Sequence, residues 1–138
     1  MTLVIDASIA VKWYLSEDHT GEAERLLNGD FDLHAPELIF SELGNVLWKK
    51  CRAGDVDSAE SLLIAENFLE RDITYHRLAT LLAPALTGAN VFGQAVYDWI
   101  YLALAISLNT KFVTADRRFY RSLRQTTYKK NLMWIEEV

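Results

Sequence analysis

Short apolar runs alternate with longer amphipathic stretches along all 138 residues of this chain. The runs at residues 3–5, 73–77, 111–114 and 132–135 have the length and composition of strands. Strands that alternate with helices are typical of an α/β fold, with a mainly parallel central sheet and helices on both of its faces. No internal repeat or linker interrupts the pattern, so we expect a single domain over residues 1–138.

The helices are predicted from amphipathic periodicity and from residues that begin or end helices. Pro36 is expected in the first turn of a helix that runs through Trp48, because that position needs no backbone N–H. Asp57 and Glu60 have the spacing of a capping box. Pro84 predicts a bend or a late start in its helix. The predicted helices cover residues 9–15, 20–27, 36–54, 57–71, 79–90, 96–108 and 117–124.

Composition excludes several classes of protein. A hydrophobic share of 51% argues for a packed core and against a disordered chain. No apolar stretch reaches the roughly 18 residues that a membrane span needs, and the N-terminus lacks the features of a signal peptide. The single cysteine, Cys51, excludes an internal disulfide. We therefore expect a cytoplasmic protein that does not contact a membrane.

Four acidic residues are expected at one edge of the sheet. Asp6 directly follows the first strand, and Asp116 follows the strand at 111–114. Asp98 opens the helix that precedes this strand, and Glu42 lies in the first half of the helix predicted from Pro36. In an open parallel sheet, ligands bind beyond the carboxyl ends of the strands, where the N-termini of crossover helices also lie. The topology therefore predicts that these four carboxylates converge.

A cluster of like charges raises the pKa of its members and destabilises the fold unless a cation neutralises it. Oxygen ligands suit Mg²⁺ or Mn²⁺, and the histidines show no zinc-like spacing. Such an ion orients a phosphodiester and activates water. Each acid also has a structural alternative, since Asp6 and Asp116 could cap helices, Asp98 could interact with a helix dipole and Glu42 could be an exposed helix residue. Topology alone does not name the reaction.

Charge is distributed unevenly along the chain. The net charge is −5, yet residues 116–131 contain six basic residues and a single acid. An acidic body beside a basic segment could hold cations in one place and a polyanion next to them. The alternative is that the basic segment is an ordinary solvated surface.

Four segments together resemble the PIN-domain family, and within it the VapC toxins of bacterial and archaeal toxin–antitoxin pairs. They are LVIDASIAVKW (3–13), PELIFSELGNVL (36–47), VYDWIYLALA (96–105) and FVTADRRF (112–119). Each contains one of the four acids, and they occur in the family's order over almost the whole chain. The resemblance implies a PIN-like three-layer fold and a single PIN domain.

The resemblance also implies an activity, a cofactor and partners. We expect a Mg²⁺-dependent endoribonuclease, with Mn²⁺ as a substitute, that hydrolyses RNA phosphodiester bonds. Members of this kind are usually homodimers and are restrained by a small cognate antitoxin protein. The residues that match the family's metal-site acids are Asp6, Glu42, Asp98 and Asp116. The residues that match supporting polar positions are Ser8, Asn45 and Thr114.

Other residues near these motifs raise further expectations. Trp99 replaces the small residue expected after the third acid, which puts the shape of the pocket in question. Arg117, Arg121 and Arg124 lie at i, i+4 and i+7 and so share one helical face, which could bind RNA phosphates. An exposed charged face with no ligand is the alternative.

Two rival classes stay open at this point: an aspartyl-phosphate phosphatase or receiver, and a non-catalytic module. An aspartyl-phosphate phosphatase of the haloacid-dehalogenase type needs a second Asp two residues after the first, where this chain has Ser8. A receiver needs an acidic pair near the first strand, which is absent. A non-catalytic PIN-fold module that binds RNA or protein would be expected to have lost one or more acids, and all four are present.

Overall fold

A computed structural model describes residues 1–138. Five strands form one sheet in which every neighbouring pair is parallel, in the order β3-β2-β1-β4-β5. The strands are β1 (Thr2–Val4), β2 (Asp32–Pro36), β3 (Ile73–His76), β4 (Lys111–Thr114) and β5 (Leu132–Trp134). The helices are α1 (Ala7–Val11), α2 (Thr20–Asn28), α3 (Leu38–Arg52), α4 (Ser58–Leu69), α5 (Leu82–Phe92), α6 (Val96–Ser107) and α7 (Arg117–Leu123).

Helices cover both faces of the sheet, which confirms the predicted three-layer α/β fold. The alternation of side chains along a strand explains the two cores. Leu3 and Ile5 belong to a cluster with residues of α1, α2, α3 and α4. Val4 belongs to a second cluster, with residues of α5, α6 and α7. Two cores separated by one sheet are what an apolar, fully buried central strand requires.

The strand β2 was not predicted, and the placement of Pro36 in a helix was wrong. Pro36 is the last residue of β2, and α3 begins two residues later at Leu38. Proline has no N–H for the ladder, so it is tolerated where a strand ends. The next residue, Glu37, continues the pairing with β3, because its backbone N–H donates to the carbonyl of His76 at 2.8 Å. The sequence of β2, DLHAP, lacks the β-branched residues that identify strands.

Two helix boundaries also differ from the prediction. The helix predicted at 9–15 is the shorter α1, which begins two residues earlier because Asp6 caps it. Its side chain accepts a hydrogen bond from the backbone N–H of Ile9. The helix predicted at 79–90 begins late, at Leu82, so that Pro84 lies in its first turn. The other predicted helices agree with the structure to within three residues.

The order of the strands determines where a ligand can bind. The chain proceeds from β1 to β2 and β3 on one side, then returns to place β4 and β5 on the other side of β1. Such a reversal opens a crevice at the carboxyl ends of the two central strands, here β1 and β4. None of the helices has the length and hydropathy of a bilayer-spanning segment.

Candidate active site

A cavity of about 630 Å³ opens where this crevice is expected, and 15 residues line it. All four predicted acids are among them, together with Ser8 and Asn45. The acids come from four separate parts of the fold: the residue after β1, the second turn of α3, the first turn of α6 and the residue that caps α7. The lining acids are Asp6, Glu42, Asp98 and Asp116.

Asp6 is held by a local hydrogen-bond network. Its Oδ1 atom accepts hydrogen bonds from the Ser8 hydroxyl at 2.6 Å and from the Ile9 backbone N–H at 3.0 Å. The extended backbone of Asp6 (φ −114°, ψ 178°) is typical of a residue that caps a helix. Ser8, predicted to support the first acid, therefore contacts it directly.

Asp116 is held in a similar way at the end of β4. Its Oδ1 atom accepts a hydrogen bond from the Phe119 backbone N–H at 3.0 Å and so caps α7. Its own backbone N–H donates to the hydroxyl of Thr114 at 3.0 Å. Thr114 is buried, and it fixes the turn that leads from the strand to the acid. Asp6 and Asp116 thus have both of the expected roles, because each caps a helix and also lines the cavity.

Glu42 and Asp98 face the same cavity from two helices. Glu42 is half-buried, and its Oε1 atom is fully buried without any hydrogen-bond partner. A buried carboxylate oxygen with no partner is costly, so it indicates a missing donor or cation. Asp98 lies in the first turn of α6, where the helix dipole favours a negative charge. Asn45 lies three residues after Glu42, at the same cavity.

The electrostatics of the cavity disfavour the ionised forms of Asp6 and Asp98. Burial raises the pKa of Asp6 from 3.8 to about 6, against the opposing effect of its hydrogen bonds with Ser8 and Ile9, and the charges of Glu42 and Asp116 raise it further. The pKa of Asp98 is also raised to about 6. Burial is the largest cause, and the charges of the other three acids act in the same direction. Near neutral pH these carboxyls ionise at a cost in folding free energy, which a bound cation would remove.

The oxygen ligands in the cavity fit a hard divalent cation. The cavity offers carboxylate oxygens, and one of them is buried and unpaired. No three Asp, Glu, His or Cys side chains are grouped so that they could hold one ion together. This excludes an all-protein cage in the present arrangement. It leaves the arrangement that Mg²⁺ commonly uses, in which one or two carboxylates bind the ion directly and water fills the other positions.

Several lining residues were missed by the sequence analysis. Lys12 is buried, and its Nζ atom forms an ion pair of 3.3 Å with Glu17. Lys49 and Tyr97 also line the cavity, as does the buried Tyr101. Lys12 lies one helical turn past Ser8 in the first motif, so its periodicity could have drawn attention to it. Nothing in the sequence distinguishes Tyr101 from an ordinary core aromatic.

Trp99 does not line the cavity. It is buried on the opposite side of α6, where its ring stacks on Phe92 with 5.5 Å between the ring centres. It also packs against Gly88 in α5, at a position where any side chain would overlap the indole ring. From the sequence, Trp99 put the shape of the pocket in question. In the structure, Gly88 in the neighbouring helix α5 accommodates the large side chain.

The three arginines of α7 lie outside the acidic cavity. Arg117, Arg121 and Arg124 line a separate groove of about 300 Å³ together with Tyr120 and Trp134. The Arg117 guanidinium lies over the Trp134 ring, 5.8 Å from its centre. None of the three forms an ion pair with an acid of this chain. They therefore form a basic and aromatic surface next to α7, whose first turn is capped by Asp116.

Comparisons with known proteins agree with this arrangement. The model of the PIN domain family matches residues 3–122. Ribonuclease VapC3 of Pyrobaculum aerophilum is 34% identical over 120 residues, which are 86% of this chain and 92% of the relative. Ribonuclease VapC9 of Mycobacterium tuberculosis is 29% identical over 117 residues, covering 84% and 87% of the two chains. This protein belongs to the PIN domain family.

Solved structures show the same fold. The crystal structure of PAE2754 from Pyrobaculum aerophilum superimposes with a TM-score of 0.72 at 24% identity, over 99% of this chain and 85% of that chain. The structure of VapBC2 from Rickettsia felis, bound to a DNA fragment from the promoter, has a TM-score of 0.64 at 17% identity over 97% of each chain. The likeness to these structures confirms the PIN-like architecture.

Proposed function

We propose that this PIN-domain protein is a metal-dependent endoribonuclease and the toxin of a toxin–antitoxin pair. The observation that carries the proposal is the convergence of Asp6, Glu42, Asp98 and Asp116 on one cavity at the switch point of the sheet. Relatives that match most of the chain bear the name ribonuclease VapC. An acidic cavity on its own suits other phosphate chemistry, and the family directs the choice to RNA.

The proposed cofactor is Mg²⁺, with Mn²⁺ as a substitute, held by the four acids. Either ion, when bound, polarises a phosphodiester and supplies an activated water. One or two of these carboxylates would hold the ion directly, as is common for Mg²⁺. Ser8 and Thr114 support the first and last acids, and Asn45 offers an uncharged polar group beside Glu42.

The side chains of the site bind and orient the substrate, and none of them needs to form a covalent intermediate. Asp6 keeps one orientation because two hydrogen bonds fix its Oδ1 atom. Lys12 and Lys49 are the two cations of the cavity, and they are suited to hold the phosphate that flanks the scissile bond. A preorganised site of this kind lowers the barrier mainly by positioning.

We assign the groove of Arg117, Arg121 and Arg124 to the RNA strand on either side of the cleaved bond. Its guanidinium groups suit phosphates, and the rings of Tyr120 and Trp134 offer faces on which bases can stack. The contrast between an acidic cavity and a basic groove gives each part of the substrate a suitable surface.

The proposed partners are a cognate antitoxin and a second copy of the chain. The support for an antitoxin is that solved structures with this fold include the VapBC2 complex and a toxin–antitoxin complex from Klebsiella pneumoniae. Large apolar side chains are exposed on α4 and α5, more than an isolated domain requires. They are Leu62, Leu63 and Leu69 on α4, and Leu82, Leu86 and Val91 on α5.

The experiment that tests the activity compares RNA cleavage by the purified protein with Mg²⁺, with Mn²⁺ and with a chelator. We expect internal cuts in single-stranded RNA with either metal and none with the chelator. RNA binding without cleavage under every condition would favour the non-catalytic module instead. Hydrolysis of a small phosphomonoester without any cleavage of RNA would favour the phosphatase.

A further inference from the structure

Tyr101 forms part of the wall of the acidic cavity. It lies on α6 three residues after Asp98, so the two side chains share one face of the helix. Only 1% of its surface is exposed, yet the residue lines the cavity. Its ring stacks on Phe112 of β4, with 5.4 Å between the ring centres. The ring is therefore fixed by the core while the phenol oxygen reaches the site.

Two buried polar atoms in this cavity have no hydrogen-bond partner. They are the hydroxyl of Tyr101 and the Oε1 atom of Glu42. Each such atom lowers the stability of the fold, and native proteins rarely keep one without a reason. The two are also complementary, because a phenol donates a proton and an ionised carboxylate only accepts one. Their pairing, directly or through a water molecule, would satisfy both.

The phenol of Tyr101 experiences the charges of the acids in this cavity. Burial raises the pKa of Tyr101 above its usual range, and the charges of Asp6 and Glu42 raise it further. A neutral phenol has one O–H donor. It is the only neutral O–H donor that is fully buried among the lining residues of this cavity.

We propose that Tyr101 is a positioning residue that holds Glu42 for the metal by donating a hydrogen bond to its carboxylate. The inference rests on the proposed metal-dependent function and adds a residue to it. A metal ligand usually has a second partner that fixes its orientation, and loss of that partner weakens metal binding by about 10-fold to 100-fold. Ser8 has this role for Asp6, whereas the buried Oε1 atom of Glu42 has no partner, and Tyr101 is the buried donor that lines the same cavity.

The test is Tyr101→Phe, which removes the hydroxyl and keeps the ring on Phe112. The matched control is Tyr75→Phe, because Tyr75 on β3 also has a buried hydroxyl without a partner and lies outside the cavity. The readout is the Mn²⁺ concentration that gives half of the maximal rise in Tm. We expect Tyr101→Phe to raise this concentration by about 10-fold. The control should leave it unchanged, and Tyr75→Phe should not melt below the wild type without metal.

A double-mutant cycle with Glu42→Ala separates positioning from a general structural role. If Tyr101 acts through Glu42, Tyr101→Phe changes the metal response only while Glu42 is present. An equal change in both backgrounds, or no change in the wild-type background, would overturn the inference. A wild-type protein whose Tm does not respond to metal would instead contradict the metal site itself, and the inference with it. Steady-state cleavage should show a lower kcat with little change in KM for RNA.

Discussion

The Ser8 hydroxyl lies 2.6 Å from Oδ1 of Asp6 and donates a hydrogen bond to it. The backbone N–H of Ile9 donates to the same oxygen at 3.0 Å, and the other oxygen, Oδ2, accepts no hydrogen bond within the protein. One carboxylate oxygen of Asp6 therefore caps α1, and the other is free to bind a ligand. An amide at this position would keep the capping oxygen and lose the charge.

Asp6→Asn should abolish RNA cleavage and leave the fold intact. The amide oxygen still accepts from Ser8 and Ile9, whereas the charge that binds a cation is gone. The matched control is Asp57→Asn, because Asp57 also caps a helix, accepting from the Glu60 N–H at 2.8 Å, and lies outside the cavity. The measurement is the rate of RNA cleavage by purified, folded protein. Near wild-type cleavage by Asp6→Asn would remove Asp6 from the site.

The same variant should be more stable than the wild type without metal, by an amount that depends on pH. The pKa of Asp6 is about 6 when folded and near 3.8 otherwise, so the folded state binds the proton more tightly. Ionisation therefore costs the wild type stability as pH rises from about 4 to 6, and this cost is constant above that range. Asparagine does not titrate, so the advantage of Asp6→Asn should grow across the interval to on the order of 3 kcal/mol.

Urea unfolding in the presence of a chelator, at several pH values, measures this advantage. Comparison of the two proteins at each pH removes contributions from groups that both contain, such as His76, whose pKa is lowered by burial and by His34. A difference in the free energy of unfolding that is equal at pH values below and above the interval would contradict the explanation by burial.

Mg²⁺ or Mn²⁺ should raise the Tm, because the ion binds the folded acids and not the dispersed acids of the unfolded chain. At a concentration 100 times the Kd, the rise should be roughly 5–10 °C for a chain of this size. Asp98→Asn and Asp116→Asn should each reduce it, and Asp57→Asn should not. A melting curve that is independent of millimolar metal at low salt would exclude a cation site.

The groove beside α7 makes a separate prediction. Replacement of Arg117, Arg121 and Arg124 by Gln should weaken RNA binding and reduce its salt dependence. Each lost phosphate contact should lower the slope of log affinity against log salt by roughly 0.7 for a single strand. The rise in Tm caused by metal should persist, since Asp116 is unchanged.

A triple Gln variant at other basic positions of the same segment serves as the control for charge alone. The positions are Arg118, Lys129 and Lys130, none of which lines the groove. Equal losses in the two triple variants would indicate bulk attraction. Unchanged RNA affinity together with a shift from dimer to monomer would assign the groove to a protein interface.

The packing that moves Trp99 away from the cavity can be tested with two glycines. Gly88→Ala should destabilise the protein by about 1–3 kcal/mol, because a Cβ there overlaps the Trp99 ring. Gly44→Ala, inside α3 with nothing near its Cβ, should instead stabilise the protein by about 0.5–1 kcal/mol. Denaturant unfolding of both variants measures the difference. Equal effects would mean that α5 and α6 pack differently.

The sequence alone predicts most of the elements, but it does not predict β2. The strands β1 and β4 are identified by apolar runs, and the acids that follow them are identified by position. β2 has only Leu33, Ala35 and Pro36 as buried residues, and it is a strand because β1 and β3 pair with it on both sides. Long-range pairing of this kind leaves no local pattern in the sequence.

The candidate site shows the same division between local and long-range information. The four acids were found because each follows a strand or lies near the start of a helix, and the topology brings such positions together. Tyr101 was missed because its neighbours Glu42 and Asp6 are about 60 and 95 residues away in the sequence. The question raised by Trp99 depended in the same way on Gly88, which lies on another helix.

The capping role of Asp6 and Asp116 has a genetic consequence. Aspartate and asparagine codons differ by one base, and asparagine is as good a helix cap as aspartate. A single mutation at either position should therefore yield a folded protein that has lost its charge at the cavity. The protein encoded by such an allele would not cleave RNA and would still expose the apolar surfaces of α4 and α5. A cell carrying it would keep a full-length competitor for whatever partner those surfaces bind.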